Sequence, residues 1–181
     1  MSSVPLPRGE RVHLRRLETT DRPAFLQAVR ASRRLHRPWS YPADTAERFA
    51  GLLERPGAET YLVLRNEDDA LAGTATLGNM VLGNLRSAYL GYEAFVPYEG
   101  RGYMTEGLAL VLRHAFGTLG LHRVEANVQP QNTRSIALVE RLGFRREGYS
   151  PRYLKIGGRW RDHVRFAILA DEFGRAARRT R

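Results

Sequence analysis

Apolar positions along this chain follow two rhythms, one of period two and one near 3.6, and the rhythm changes several times. Residues 12–17 alternate as a half-buried strand does. Thr20 and Asp21 then open a helix with Pro23 in its first turn and Phe25, Leu26, Val29 and Leu35 along its apolar side. The aromatic loop Pro38-Trp39-Ser40-Tyr41-Pro42 ends that helix, since proline lacks a donor and constrains its predecessor. A short second helix is predicted over 45–54, stopped by Pro56-Gly57. Strands follow over 60–65 and 70–77, joined by the turn Asn66-Glu67-Asp68-Asp69, and then over 87–96 after a Gly83-Asn84 turn.

The second half is more regular. Met104, Leu108, Val111, Leu112 and Ala115 fall on one face of a helix that stops within 117–120. Residues 123–128 read as a strand. Asn132 caps a helix carrying Ile136, Val139 and Leu142, closed by Gly143. Residues 144–156, the turn Gly157-Gly158 and residues 160–169 make a final hairpin. The predicted order is strand, two helices, three strands, helix, strand, helix, two strands. That order fits an α/β or α+β sheet with about four helices packed on it. No repeat, low-complexity tract or linker interrupts residues 1–181, so one domain is expected, with 1–9 and 174–181 as mobile tails.

Composition narrows the class. The chain is 43% hydrophobic and 27% charged, ordinary for a soluble globular protein. Without cysteine there is no disulfide framework, thiolate metal site or cysteine nucleophile. No apolar run reaches membrane-span length, and the N-terminal segment lacks a secretory apolar stretch, so no membrane and a cytoplasmic address are expected. The net charge of +10 raises the question of nucleic acid. Nearly all of that charge is scattered arginine, Lys155 being the only lysine, so binding to nucleic acid is expected to be non-specific only. Arg175, Arg178, Arg179 and Arg181 cluster as either a solvated tail or a docking element. A polyanionic ligand would use some of the rest.

Candidate chemistry concentrates in Pro97-Tyr98-Glu99-Gly100-Arg101-Gly102-Tyr103-Met104-Thr105-Glu106. A strand ends, two glycines turn the chain, and an amphipathic helix starts at once. Glycines let backbone N–H groups face a ligand, and the helix N-terminus adds a positive dipole end, which together suit a phosphate. A tight strand-to-helix turn with no ligand fits the same residues. No Lys-Ser/Thr follows, so it is not a P-loop, and its context differs from the Rossmann fingerprint.

The segment resembles the acyl-CoA pyrophosphate loop of the GNAT acetyltransferase superfamily, Gln/Arg-x-x-Gly-x-Gly/Ala. Glu99 stands at the Gln/Arg position, Gly102 at the glycine and Met104 at the final small residue, so two of the three positions depart. Beside phosphates, the Glu99 side chain is expected to point away. LHRVEANVQPQNTRSIALVERLGFRREGY is similar to the second signature of that superfamily, and GRWRDHVRFAIL supplies a Gly-x-Trp-Arg-Asp hairpin. The combination resembles the RimJ/RimL branch, whose described members acetylate the N-terminal amine of ribosomal proteins. The resemblance implies a mostly antiparallel seven-stranded sheet, splayed after the fourth strand near 92–96, with acetyl-CoA as acetyl donor. Pantetheine would pair with the backbone of Phe95 and Val96. Pyrophosphate would sit on Gly100, Arg101, Gly102, Tyr103, Met104 and Thr105, with Asn132, Arg134 and Arg141 as further CoA contacts.

A thioester is already activated, so such an enzyme mainly positions its substrates and manages protons. Ser135 is the candidate to protonate the departing thiolate; alternatively it is a helix-start serine bonded to backbone or solvent. Glu93 is the candidate base; alternatively it is a strand carboxylate on a solvated face. Glu125 and Asn127 share a strand face as a weaker pair, with Asn127 a substrate contact. Glu106 is assigned to the first turn of its helix. Trp39 and Tyr41 either wall the amine pocket or plug the core. His13, His36, His114, His122 and His163 have no metal-ligand spacing, so no metal is expected. The acceptor is expected to be a protein N-terminus, on a ribosome or ribosomal protein. A small-amine acetyltransferase, an idle acyl-CoA-binding module and a nucleic-acid-binding module stay open as alternatives, as do monomer and homodimer.

Overall fold

The computed structural model describes residues 5–179, with side chains through residue 174. Seven strands form one sheet: β1 (Val12–Arg16), β2 (Glu59–Arg65), β3 (Leu71–Val81), β4 (Ser87–Ala94), β5 (Arg123–Val128), β6 (Arg145–Ile156) and β7 (Arg159–Leu169). Their spatial order is β1-β2-β3-β4-β5-β7-β6. Every neighbouring pair is antiparallel except β4 and β5. Hairpin connections explain the β2–β3, β3–β4 and β6–β7 pairs, whereas helices intervene between β1 and β2, and a helix and β6 between β5 and β7. The β6–β7 turn places Gly157 at φ 58° and Gly158 at φ 80°, a left-handed pair suited to a two-residue hairpin.

Among the described residues six α-helices accompany the sheet: α1 (Arg22–Ala31), α2 (Arg33–His36), α3 (Ala46–Leu53), α4 (Tyr103–Gly117), α5 (Thr133–Arg141) and α6 (Ala170–Arg179). The fold is the expected mixed α/β one, with two more helices than the four anticipated. Ser32, at φ −91° and ψ 7°, breaks the first predicted helix, so Leu35 lies in the separate α2. α6 occupies much of what had read as a tail. Phe173 packs against Phe116 with ring centroids 5.7 Å apart, and the Glu172 carboxylate accepts the Leu169 N–H at 2.8 Å and pairs with Arg145. At the other end, Gly9 donates its N–H to Val12 O at 2.8 Å and Arg8 bridges to His13. Residues 1–4 and 180–181, and the side chains of Arg175, Arg178 and Arg179, lie outside the described residues.

Period-two alternation gives the sheet two apolar faces, each with its own core. Leu14, Tyr61, Val63, Ala75, Leu90, Val124 and Phe166 meet Leu108, Val111 and Leu112 of α4 and Val139 of α5. On the opposite face, Leu62, Leu64 and Phe95 meet Phe25 and Val29 of α1 and Phe49 of α3. α4 comes close to the sheet because Gly107 has no side chain: a Cβ there would lie 2.6 Å from Val63 Cγ1.

The sheet opens in the middle. β4 and β5 pair only from Ser87↔Arg123 to Tyr89↔Glu125, after which both strands run on apart. The expected splay is present, and it begins about three residues earlier than 92–96. Its two sides carry the candidate site.

Candidate active site

The loop between β4 and α4 turns on Gly100 at φ 74° and Gly102 at φ 83°, conformations that L side chains rarely adopt. Gly102 is the α4 N-cap and gives no side-chain cap, and the first helical bond is Glu106 N–H to Gly102 O at 3.2 Å. The N–H groups of Tyr103, Met104 and Thr105 therefore have no partner within the helix, as a helix N-terminus requires. Arg11 braces the loop by donating to Arg101 O at 3.1 Å. Glu106 accepts the N–H groups of Arg11 at 2.8 Å and Val12 at 3.3 Å, which ties α4 to β1. The loop is thus a rigid cradle of backbone donors that fits the pyrophosphate of an acyl-CoA. Met104 takes part through its backbone alone, because its side chain is buried, with its sulfur over Gly73. The Arg101 side chain is exposed, and so are Arg134 and Arg141, two turns apart on α5. One Glu99 carboxylate oxygen is buried without a partner among the described residues.

Within the splay, Tyr92 OH and Ser135 Oγ lie 2.6 Å apart, joining β4 to α5 across the gap. Asn132 caps α5 and orients it by accepting the Ser135 N–H at 3.3 Å. Burial, the leading cause, together with the nearby Glu93 charge pushes the Tyr92 phenol up to about 12, against the opposing effect of Ser135. Phe95 donates its N–H to Ala72 O on β3 at 2.9 Å and accepts from Tyr98 N–H at 2.9 Å. Val96 donates to Ser32 Oγ at 3.0 Å. Those groups, expected to meet pantetheine, are already engaged. Successive residues of a strand aim their backbone dipoles at opposite edges, so Tyr92 and Ala94 face the gap instead. His36 Nε2–H donates to the Ala94 carbonyl at 2.8 Å, and Tyr92 lies beyond the last β4–β5 pair, Tyr89↔Glu125.

Glu93, next along β4, points to the other face. There a cavity of about 620 Å³ is lined by Phe25, Thr74, Thr76, Tyr89, Glu93 and Asn127, among others. Thr74 Oγ1 donates to the Glu93 carboxylate at 3.2 Å, and burial pushes its pKa up from the ordinary carboxylate value. Glu93 is thus a half-buried carboxylate facing a cavity, one of the two settings its sequence allowed. Asn127 Oδ1 is buried with no partner among the described residues. Glu125, on the same strand face, is held by Arg123 at 2.9 Å and Arg165 at 3.0 Å. Tyr41 lines the cavity and packs on Gly157, where a Cβ would lie 2.6 Å from its hydroxyl, so the 38–42 loop and the β6–β7 hairpin meet over it. Trp39 is not among the lining residues; its carbonyl accepts Gln129 Nε2–H at 2.9 Å.

Two residues at the centre of this arrangement had no role assigned from sequence, Tyr92 and Thr74. Strand parity was the available signal: once Glu93 is placed on one face, Tyr92 must occupy the other. A sheet that opens between two parallel strands, with a loop of free backbone donors on one face and a cavity holding one carboxylate on the other, has the form of a two-substrate transferase. Residues 11–145 match the acetyltransferase (GNAT) domain family, and the chain belongs to it. Among relatives, the [Ribosomal protein uS5]-alanine N-acetyltransferase of Escherichia coli (strain K12) is 32% identical, covering 95% of each chain. The probable N-acetyltransferase YjcK of Bacillus subtilis (strain 168) is 32% identical over 90% of this chain and 96% of its own. The structure of Mycobacterium smegmatis RimJ in complex with CoA-disulfide superimposes with a TM-score of 0.80 at 32% identity, covering 92% of this chain and 90% of that one.

Proposed function

We propose that the protein transfers the acetyl group of acetyl-CoA to the N-terminal α-amine of a protein, a ribosomal protein being the acceptor class. The observation that carries this is the position of Tyr92 and Glu93, consecutive residues aimed at opposite faces of an opened sheet. The 32% identity to a ribosomal-protein alanine N-acetyltransferase supports the acceptor class.

The chemistry follows from that geometry. CoA binds on the α4–α5 face, with pyrophosphate on the N–H groups at 102–105 and pantetheine on the Tyr92 backbone. Asn132, Arg134 and Arg141 add contacts from α5. The amine arrives through the cavity, where Glu93 removes its proton and Asn127 Oδ1 accepts a second N–H. Attack on the thioester in a ternary complex forms the C–N bond and breaks the C–S bond. The sulfur leaves as a thiolate toward Tyr92 and Ser135. A phenol raised to about 12 keeps its proton at neutral pH, so the hydroxyl pair stabilises that sulfur as a hydrogen-bond donor. An α-amine near pKa 8 is neutral in roughly a quarter of molecules at pH 7.5, whereas a lysine near 10.4 is neutral in about a thousandth, which favours α-amines. Acetyl-CoA and nascent ribosomal proteins meet in the cytoplasm, which is the proposed location.

The test is a competition among an alanine-ended peptide, its N-formylated twin with an internal lysine, and an aminoglycoside, read by mass spectrometry. The free-terminus peptide should be acetylated first. Preference for the blocked peptide or the aminoglycoside would overturn the N-terminal assignment.

A further inference from the structure

The acceptor cavity is electrically lopsided. Glu93 is its one lining carboxylate among the described residues, and two arginines, Arg48 and Arg55, line it as well. Arg48 already has a carboxylate partner: it pairs with Asp44 at 2.8 Å, which Arg33 also meets at 3.5 Å, and it donates to Tyr41 O at 2.6 Å. Arg55 differs. Its polar contact is Asn79 Oδ1 at 3.5 Å, and among the described residues no carboxylate pairs with it. Its guanidinium lies over β3 at Gly78, where a Cβ would stand in ordinary contact with it, 3.8 Å from Nη2. An uncompensated guanidinium on the wall of a substrate cavity is a binding group for a carboxylate.

The register of β3 and β4 fixes where that carboxylate must be. Thr74 pairs with Glu93, Thr76 with Gly91 and Gly78 with Tyr89, so the base and Arg55 stand at opposite ends of one strip of sheet. Four residues of strand span about 13 Å at ~3.4 Å per residue. An extended acceptor with its amine at Glu93 advances at a similar rate, and an arginine side chain reaches several ångströms back along the strip. Arg55 therefore meets roughly the third to fifth residue of the acceptor. A polycationic amine would meet repulsion there.

Resting on the N-terminal acetylation proposed above, we infer that Arg55 selects acceptor peptides bearing an acidic side chain at about the third to fifth residue. The salt bridge that forms is partly solvated, and such pairs contribute up to ~1 kcal/mol, or about 5-fold in kcat/KM.

The experiment uses alanine-ended hexapeptides that are otherwise neutral, carrying Glu, Gln or Lys at the fourth residue, with Glu also moved through residues two to six. Glu should exceed Gln by about 5-fold and Gln should exceed Lys, with the Glu advantage greatest at residues three to five and lost at high salt. Arg55→Glu, at an exposed position, should reverse the order so that Lys exceeds Glu. Equal kcat/KM for the three peptides, or an unchanged order in Arg55→Glu, overturns the selection while leaving N-terminal acetylation intact. Failure to acetylate any of the peptides overturns both.

Discussion

Replacing Glu93 by Gln keeps the shape of the side chain and a partner for Thr74 Oγ1 at 3.2 Å, yet removes the capacity to take a proton. Positioned bases contribute roughly 10²- to 10⁴-fold. The acceptor is already neutral in about a quarter of molecules at pH 7.5, so the expected loss in kcat/KM lies near the low end, about 10²-fold. Some of that loss is recoverable. Raising the pH to 9 makes about nine-tenths of an α-amine neutral, a gain of about fourfold, so the variant at pH 9 should still lie roughly 25-fold below wild type at pH 7.5 if Glu93 acts in the transition state. Stability supplies a second readout with a definite sign. Burial raises the Glu93 pKa, so the folded state holds this proton more tightly than the unfolded chain does. Its contribution to stability is fully present below the unfolded value and is lost as pH rises through the raised folded value. At pH 7.5 the half-buried carboxylate is a burden that Gln lacks, so the melting temperature of Glu93→Gln should be no lower than wild type. The assay is thiol release from acetyl-CoA with an alanine-ended peptide, run beside thermal melts from pH 5 to 9. A folded Glu93→Gln enzyme with wild-type kcat/KM at pH 7.5 would refute the base.

Tyr92→Phe and Ser135→Ala should each lower kcat by about 10- to 100-fold at saturating acetyl-CoA, and the double variant should be little worse than the poorer single, since the two hydroxyls share one hydrogen bond. Additive losses in steady-state kinetics would separate their roles. Gly102→Val places a β-branched residue at φ 83° and puts its Cβ 3.0 Å from Arg11 Nη2, so it should abolish the thermal shift produced by acetyl-CoA while leaving far-UV circular dichroism near native. An unchanged shift would remove the phosphate assignment from this loop. His36, His114 and His163 all have pKa values lowered chiefly by burial, so the unfolded chain takes up protons first. Stability should fall as pH drops below about 6.5, the unfolded value, and His114→Gln should flatten that dependence in urea titrations from pH 7 to 5.

Much of this arrangement is legible in the sequence, and the exceptions have physical causes. The 3.6-residue rhythm located α4 and α5 to within a residue or two, because both helices bury one strong apolar stripe. Gly100 and Gly102 marked the tight turn into α4, because positive φ favours glycine. α6 was missed because one aromatic, Phe173, and one capping carboxylate, Glu172, anchor a segment that otherwise reads as a polar tail. The departure at Met104 becomes intelligible once its side chain is seen in the core over Gly73, where only the backbone is offered to a ligand. Whether Glu93 met solvent or a cavity was undecidable from β4 alone. The elements that enclose it, α1, α3 and the β6–β7 hairpin, come from distant parts of the chain. Arg55 was silent for the same reason, since its meaning lies in which carboxylates are far from it.

The shape of the splay follows from where the backbone hydrogen bonds of its two strands go. Parting two central strands strips hydrogen bonds from both, and a buried orphan N–H or C=O costs on the order of 1–3 kcal/mol. At the end of β4 and just beyond it the protein covers some of these groups from the side of α1 and α2: His36 of α2 donates to the Ala94 carbonyl, and Ser32, between α1 and α2, accepts the Val96 N–H. These two side chains are fully or nearly buried polar groups in an otherwise apolar cluster, so their hydrogen bonds stabilise the open form specifically. Tyr92 is different, because its side chain bridges to Ser135 while its main chain stays at the gap. A pantetheine arm, which carries amide donors and acceptors along its length, can complete the ladder there as a missing strand would. Substituting Ser32 by Ala should therefore weaken the open state at the Val96 end alone. Stability should fall by about 1–3 kcal/mol for the buried donor left behind, with acetyl-CoA affinity less affected than in Gly102→Val. Equal loss of affinity in the two variants would mean that the β4 edge and the cradle bind the cofactor as one unit.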